Sequence, residues 1–172
     1  MPDEPGLDAF ERFFLRHYPR VCGVLCRLTG RPDEAEDLAL EAFWRLWSRG
    51  NQVEGAAAEA WLYKVASNLG YNALRADGRR VNYEGQAALY ERQEKDDSDP
   101  PEAYERQERI EQVRETLRRM APRQARLLAL RYSGLSYAEL AGALGVAPGS
   151  IGTLLARAEA EFETLFQTRG KR

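Results

Sequence analysis

The sequence predicts an all-α protein: two small helical domains joined by a flexible acidic linker. Three observations lead there. Apolar residues recur at helical spacing in each long segment. No stretch shows the sustained alternation of β-branched residues that marks a strand. A strongly polar stretch, carrying Glu91, Glu94, Asp96, Asp97, Asp99 and the Pro100-Pro101 pair, is too poor in apolar surface to order itself and divides the chain. The expected domains are 1–80 and 107–172, with 81–106 as the linker.

The first periodic segment covers about 7–28, with Phe10, Phe13, Phe14, Val21, Leu25 and Leu28 on one stripe. The second opens on Pro32-Asp33-Glu34, a proline and acidic residues where a helix N-terminus favours them, and runs through Leu38, Ala42, Phe43, Leu46 and Trp47 to Gly50. A loop over 50–59 leads to a third, starting near Ala58, with Trp61, Leu62, Val65, Ala66, Leu69, Ala73 and Leu74 as its apolar side, ending around Gly78. Trp61 falls on that stripe and reads as core rather than as an exposed stacking surface.

Beyond the linker come a helix with Ile110, Val113, Leu117 and Met120, a break at Pro122, and a helix through Leu127, Leu128 and Leu130. Ser136 followed by Glu139 is a capping box, so a helix starts at Tyr137, buries Leu140, Ala141 and Leu144, and stops at Gly145. Val146 plugs the turn and Pro148 opens a last helix, with Ile151, Leu155, Ala158, Phe162 and Leu165 inward. Its opposite face carries Ser150, Gly152, Thr153, Leu154 and Arg157. Two short helices across a tight turn make a helix-turn-helix.

The 172 residues are 44% hydrophobic, enough for folded cores, and the formal net charge is −2. That balance speaks against indiscriminate binding to nucleic acid, but the charge is unevenly spread. Residues 1–80 hold 11 Lys/Arg against 12 Asp/Glu, residues 81–108 hold 3 against 9, and residues 109–172 hold 11 against 6. A second local excess lies at Lys64, Arg75, Arg79 and Arg80 against Asp77. Two basic regions joined by an acidic strip suit a protein that touches a polyanion at two places. The start of the chain lacks the pattern of a secretion signal, and no run approaches the ~20 apolar residues of a membrane span, so a cytoplasmic protein without membrane insertion is expected. Cys22 and Cys26, four apart on one helix, and His17 read as core or boundary residues, since a closed metal site needs a fourth ligand. With one histidine and no Gly-rich phosphate loop, no catalytic site, metal or cofactor is expected.

Several strings, together with the two-domain plan, resemble the extracytoplasmic function sigma factors, the small bacterial RNA polymerase sigma subunits made of regions 2 and 4 only. The string 35–47, Ala-Glu-Asp-Leu-Ala-Leu-Glu-Ala-Phe-Trp-Arg-Leu-Trp, is similar to the family's region 2.2 helix. The resemblance implies that Asp37, Leu38, Leu40 and Glu41 dock on the clamp helices of the polymerase β′ subunit; the family usually has glutamine where Leu40 stands. The string 60–80 resembles regions 2.3 and 2.4, which read and open the promoter −10 element. Asn68, Asn72 and Arg75 recur at about one helical turn and can read an unstacked strand, while Lys64, Arg79 and Arg80 can neutralise phosphates.

The helix-turn-helix resembles region 4, which reads the −35 element from the β flap. The resemblance carries Ser136, Ser150, Thr153 and Arg157 to that contact. Where the family usually enters the second helix as Gly-Thr-Val-Lys-Ser-Arg-Leu, this chain has 149–155 Gly-Ser-Ile-Gly-Thr-Leu-Leu, so Gly152 and Leu154 replace two cations and Glu159 a third. Each lost phosphate contact removes about one unit of salt dependence. The family's partners are core RNA polymerase, promoter DNA and an anti-sigma factor. The expected function is promoter-directed initiation, with a sigma-like adaptor that has weakened −35 binding as the alternative.

Overall fold

A computed structural model describes residues 5–50, 55–87 and 101–169, and their side chains over 8–50, 55–79 and 105–168. These residues form helices α1 (Pro5–Thr29), α2 (Pro32–Ser48), α3 (Ala56–Ala87), α4 (Pro101–Arg119), α5 (Pro122–Tyr132), α6 (Tyr137–Leu144) and α7 (Ile151–Arg169), the last preceded by a 3-10 turn at Pro148–Ser150. No strand occurs among them, so the all-α class holds.

Helices α1, α2 and α3 pack mutually into a first unit around Leu25, Leu28, Phe43, Leu62, Tyr63 and Leu74. Helices α4 to α7 form a second around Leu127, Leu130, Leu135, Leu140 and Ile151. Local signals set the element ends. Pro32 sits at the start of α2 with Asp33 and Glu34 in its first turn. Ser136 Oγ accepts from the Glu139 amide at 3.3 Å, Glu139 Oε2 accepts from the Ser136 amide at 2.6 Å, and Gly145 ends α6 at φ 64°.

Three boundaries depart from the sequence expectation. The second half of the expected loop over 50–59 is the first turn of α3, which begins at Ala56. That helix passes Gly78 and continues to Ala87, and α4 starts at Pro101, so both ends of the stretch expected as linker are helical; 88–100 lie outside the described residues. Gly78 does not stop the helix: it is not among the glycines with positive φ, and the Arg118 side chain from α4 crosses close over it. Leu154, assigned above to the outward face of the last helix, is half-buried against the core. A helical turn advances about 100° per residue, which places Leu154 beside the inward Ile151 and Leu155 stripe rather than opposite it.

His17 is buried between α1 and α3. Its Nδ1 lies 3.2 Å from the Tyr63 hydroxyl and its Nε2 lies 3.5 Å from Glu59. Burial lowers its pKa, and this outweighs the opposing charge of Glu59. A histidine whose folded value is depressed contributes stability above its unfolded value of about 6.5, and that contribution is lost as pH falls through the folded value. Thermal melts should therefore drop between pH 7 and pH 5, with a flatter profile in His17→Gln; equal slopes in both proteins would show that His17 does not control acid stability. Cys22 and Cys26 are half-buried, and burial pushes both thiols up in pKa.

Candidate nucleic-acid interface

Two faces of the first unit and one of the second hold the residues expected to function. On α2, Asp37, Leu40, Glu41 and Trp44 are spaced i, i+3, i+4, i+7 and share one face. Leu40 is 51% exposed and Trp44 is 68% exposed, both large for apolar side chains on a folded surface. Together with Phe10, Phe14, Phe43 and Trp47 they line an open groove of about 470 Å³. Glu41 pairs with Arg45 at 2.5 Å. Leu38 is turned the other way and packs against the core. Trp44 was absent from the expected contacts, although its spacing from Asp37 and Leu40 places it on the same face.

On α3, Lys64, Asn72, Arg75 and Arg79 are all exposed, in a row that begins one helical turn below Trp61. Helical spacing of three and four aligns them, so the row combines amide readers with phosphate cations. Asn68 belongs to the same row but is half-buried, its Oδ1 accepting from Arg126 Nη1 of α5. The side chain of Arg80 lies outside the described residues. Trp61 packs against the core, with the Arg49 guanidinium 4.7 Å from its ring centroid.

In the second unit, Ser136, Ser150, Thr153 and Arg157 are exposed at the helix-turn-helix surface, with Gly152 among them. Their face carries Arg157 as its cation from α7. Tyr137, at the start of α6, is stacked under Arg131 at 5.5 Å. The helix-turn-helix therefore presents hydroxyls, helix-start amides and few charges.

The two units meet along α3, which packs against α4, α5 and α6 over a shared apolar core, and polar contacts cross the same seam. Arg114 of α4 donates to Asp77 Oδ2 at 2.6 Å and to the Leu28 carbonyl at 3.4 Å. Arg118 donates to the Leu74 carbonyl at 3.1 Å, and the Tyr71 hydroxyl donates to the Met120 carbonyl at 3.2 Å. From the other side, Arg20 of α1 reaches Glu139 at 2.8 Å and the Gly134 carbonyl at 2.9 Å. Burial would push the Asp77 carboxyl up, but the Arg114 bond and the charges of Arg114, Arg31 and Arg118 carry it below the usual carboxylate range. Glu139 is held low in the same way, by Ser136 and Arg20 against the effect of burial.

The fold and these faces define a two-unit, all-α protein with a helix-turn-helix in one unit and a row of amides and cations on a helix of the other. Residues 13–80 match the Sigma-70 region 2 family and residues 110–162 match the Sigma-70, region 4 family. The chain is 32% identical over 146 residues to the RNA polymerase sigma factor CarQ of Myxococcus xanthus, covering 83% of this chain and 80% of that one. It is 29% identical over 172 residues to the RNA polymerase sigma-H factor of Pseudomonas aeruginosa, covering 92% and 86%. It is 27% identical over 150 residues to the ECF RNA polymerase sigma factor SigE of Mycolicibacterium smegmatis, covering 87% of this chain but 58% of that protein. Among solved structures, the sigma factor RpoE of Bartonella quintana, in complex with the anti-sigma factor NepR, has the same fold at a TM-score of 0.54 and 21% identity, covering 92% and 96%. The chain belongs to the RNA polymerase sigma factors, in their extracytoplasmic function group.

Proposed function

We propose that the chain binds core RNA polymerase and directs it to promoters, contributing binding and strand capture without chemistry of its own, in the cytoplasm. The observation that carries this is the row Lys64, Asn68, Asn72, Arg75 and Arg79 on α3, amides interleaved with cations on a helix of the unit matching region 2. Amides can read the edges of bases that have left the stack, and the cations hold the backbone of that strand. Asp37, Leu40, Glu41 and Trp44 of α2 are the proposed docking face for the β′ clamp helices; Leu38 supports that face from within. Ser136, Ser150, Thr153 and Arg157 are the proposed −35 contacts, in a unit that sits on the β flap. No single helix among the described residues is long and apolar enough to cross a membrane. An anti-sigma factor is the proposed regulatory partner.

The test mixes the protein with core polymerase and a library of fork-junction DNAs with randomised −35 and −10 segments, recovers the bound sequences, and probes the −10 strand for exposed thymines. Recovery of two conserved segments with open thymines is expected. Failure to associate with core overturns the proposal. A separate result is expected for Arg157→Ala: weaker binding to duplex −35 DNA, with the salt slope reduced by about one unit and core association unchanged. Unaltered DNA affinity would remove α7 from the reading surface.

A further inference from the structure

We infer that the cavity bordered by α1, α4, α5 and α7 is a binding site for a long-chain fatty acid, a single hydrocarbon tail ending in one carboxylate; the inference does not depend on the sigma-factor reading above. The cavity holds about 990 Å³, at the upper end of the ~300–1,000 Å³ usual for small-molecule sites. Its apolar lining comes from all four helices: Cys26 of α1, Val113 and Leu117 of α4, Leu128 of α5 and Phe162 of α7. A ligand rich in polar atoms would leave them unpaired against these side chains, whereas a hydrocarbon tail gains by leaving water. The opening, by contrast, is charged. Arg27, Arg106 and Arg109 line it and are exposed, as are Glu105 and Glu159.

Three cations against two carboxylates leave a surplus of one positive charge at the opening, the complement of a single carboxylate. That charge is also available. Arg106 and Arg109 lie one turn apart on α4, and neither has a bonded partner among the described residues. Arg27 donates to the Gly23 carbonyl of its own helix at 3.4 Å. Arg114 lines the cavity too, but its guanidinium is taken by Asp77 at 2.6 Å and Glu111 at 2.7 Å. A guanidinium presents planar donors that match the two oxygens of a carboxylate. Tyr132, a largely exposed aromatic at the same opening, adds a hydroxyl that can donate to the head group. Size speaks against a helical protein partner: a helix about 10–12 Å across that rises ~5.4 Å per turn would fill the cavity with about two turns, too few to form a stable helix. A bilayer is met by an apolar face lying in its surface, whereas here the apolar surface is recessed between helices.

The test titrates cis-parinarate, a fluorescent fatty acid, into the full chain and then displaces it with unlabelled ligands kept below their micelle-forming concentrations. Binding should saturate at one probe per chain. Displacement should strengthen about three- to fourfold per added methylene from octanoate to tetradecanoate, as the buried tail lengthens. Tetradecanol, with the same tail and no charge, should compete about tenfold more weakly or worse than tetradecanoate. In the double variant Arg106→Gln with Arg109→Gln that gap should shrink to about threefold or less, with the alcohol's affinity unchanged. Val113→Trp fills the cavity from α4 and Cys26→Phe fills it from α1; circular dichroism shows which of them stay folded. Each folded filling variant should bind the probe about thirtyfold more weakly or worse, since the tail loses its apolar contacts. If neither folds, the exposed arginine pair and the comparison of acid with alcohol still decide. Absence of saturable binding, equal affinity for acid and alcohol, or undiminished binding in a folded filling variant overturns the inference. Sedimentation with phosphatidylglycerol vesicles but no uptake of monomeric tetradecanoate would assign the arginines to a membrane surface and overturn it as well. None of these measurements contains polymerase or DNA, so failure here and failure of the sigma-factor reading are told apart.

Discussion

Trp44→Ala is expected to lower the affinity of the chain for core RNA polymerase by about thirtyfold or more while leaving its melting temperature unchanged. The physical case is the mismatch between size and exposure. Trp44 is 68% exposed and Leu40, one turn away, is 51% exposed, beside a groove lined by Phe10, Phe14, Phe43 and Trp47. Contiguous apolar surface of this kind is rarely left to water unless a partner covers it. Tryptophans at the centre of such patches commonly contribute 2 kcal/mol or more to binding, which is the thirtyfold at ~1.4 kcal/mol per decade. The ring contributes little to the fold, since substitutions at largely exposed positions usually stay within about 0.5 kcal/mol. The decisive comparison is core affinity, by fluorescence anisotropy or pull-down, against a thermal melt. Unchanged affinity would move the docking surface off α2, and a lowered melting temperature would make Trp44 a structural residue.

The second large effect is expected at Asp77. Asp77→Ala removes the partner of Arg114, whose side chain is 7% exposed and whose Nη2 lies 2.6 Å from the carboxylate. Breaking a buried pair by deleting one member costs about 3–5 kcal/mol, because the other charge is left without compensation. Arg114 retains Glu111 at 2.7 Å and the Leu28 carbonyl, which puts the loss at the low end, about 3 kcal/mol. In a chain of this size that is roughly 6–12 °C in melting temperature. Asp77→Ala combined with Arg114→Met should recover most of the loss, since no orphaned charge remains. Acid should imitate the single variant. The folded pKa of Asp77 is depressed, so its contribution is complete above its unfolded value of about 3.9 and fades as pH falls through the folded value. An unmoved melting temperature in Asp77→Ala would show that this ion pair does not hold the two units together.

Much of the fold was legible locally, and particular residues explain why. Pro32, the Ser136 and Glu139 box, Gly145 and Pro148 act through bonds and dihedrals within a few residues, so their consequences can be read without the rest of the chain. Gly78 looked equally local, as a helix stop. It stays helical instead, with the Arg118 side chain, forty residues further along the chain, crossing close over it, and no sequence signal in α3 points to that side chain. Leu154 departs for a related reason: its surface assignment followed string position, whereas the exact angle on the helix turns it inward, and the same geometry packs Leu38 against the core behind the exposed face of α2. Trp44 could have been found, because periodicity alone puts it on the face of Asp37 and Leu40.

By itself, the sequence determined an all-α chain, its two helical units, the helix-turn-helix and the family to which the strings belong, because helical period and caps are properties of neighbouring residues. Tertiary structure alone decided which candidates are available. It left Lys64, Asn72, Arg75 and Arg79 exposed, gave Asn68 to Arg126, and joined two units that sequence treats as independent. The physical reason is that an arginine's partner is chosen by packing across distances in sequence, 58 residues for Arg126 and Asn68, that no local pattern encodes.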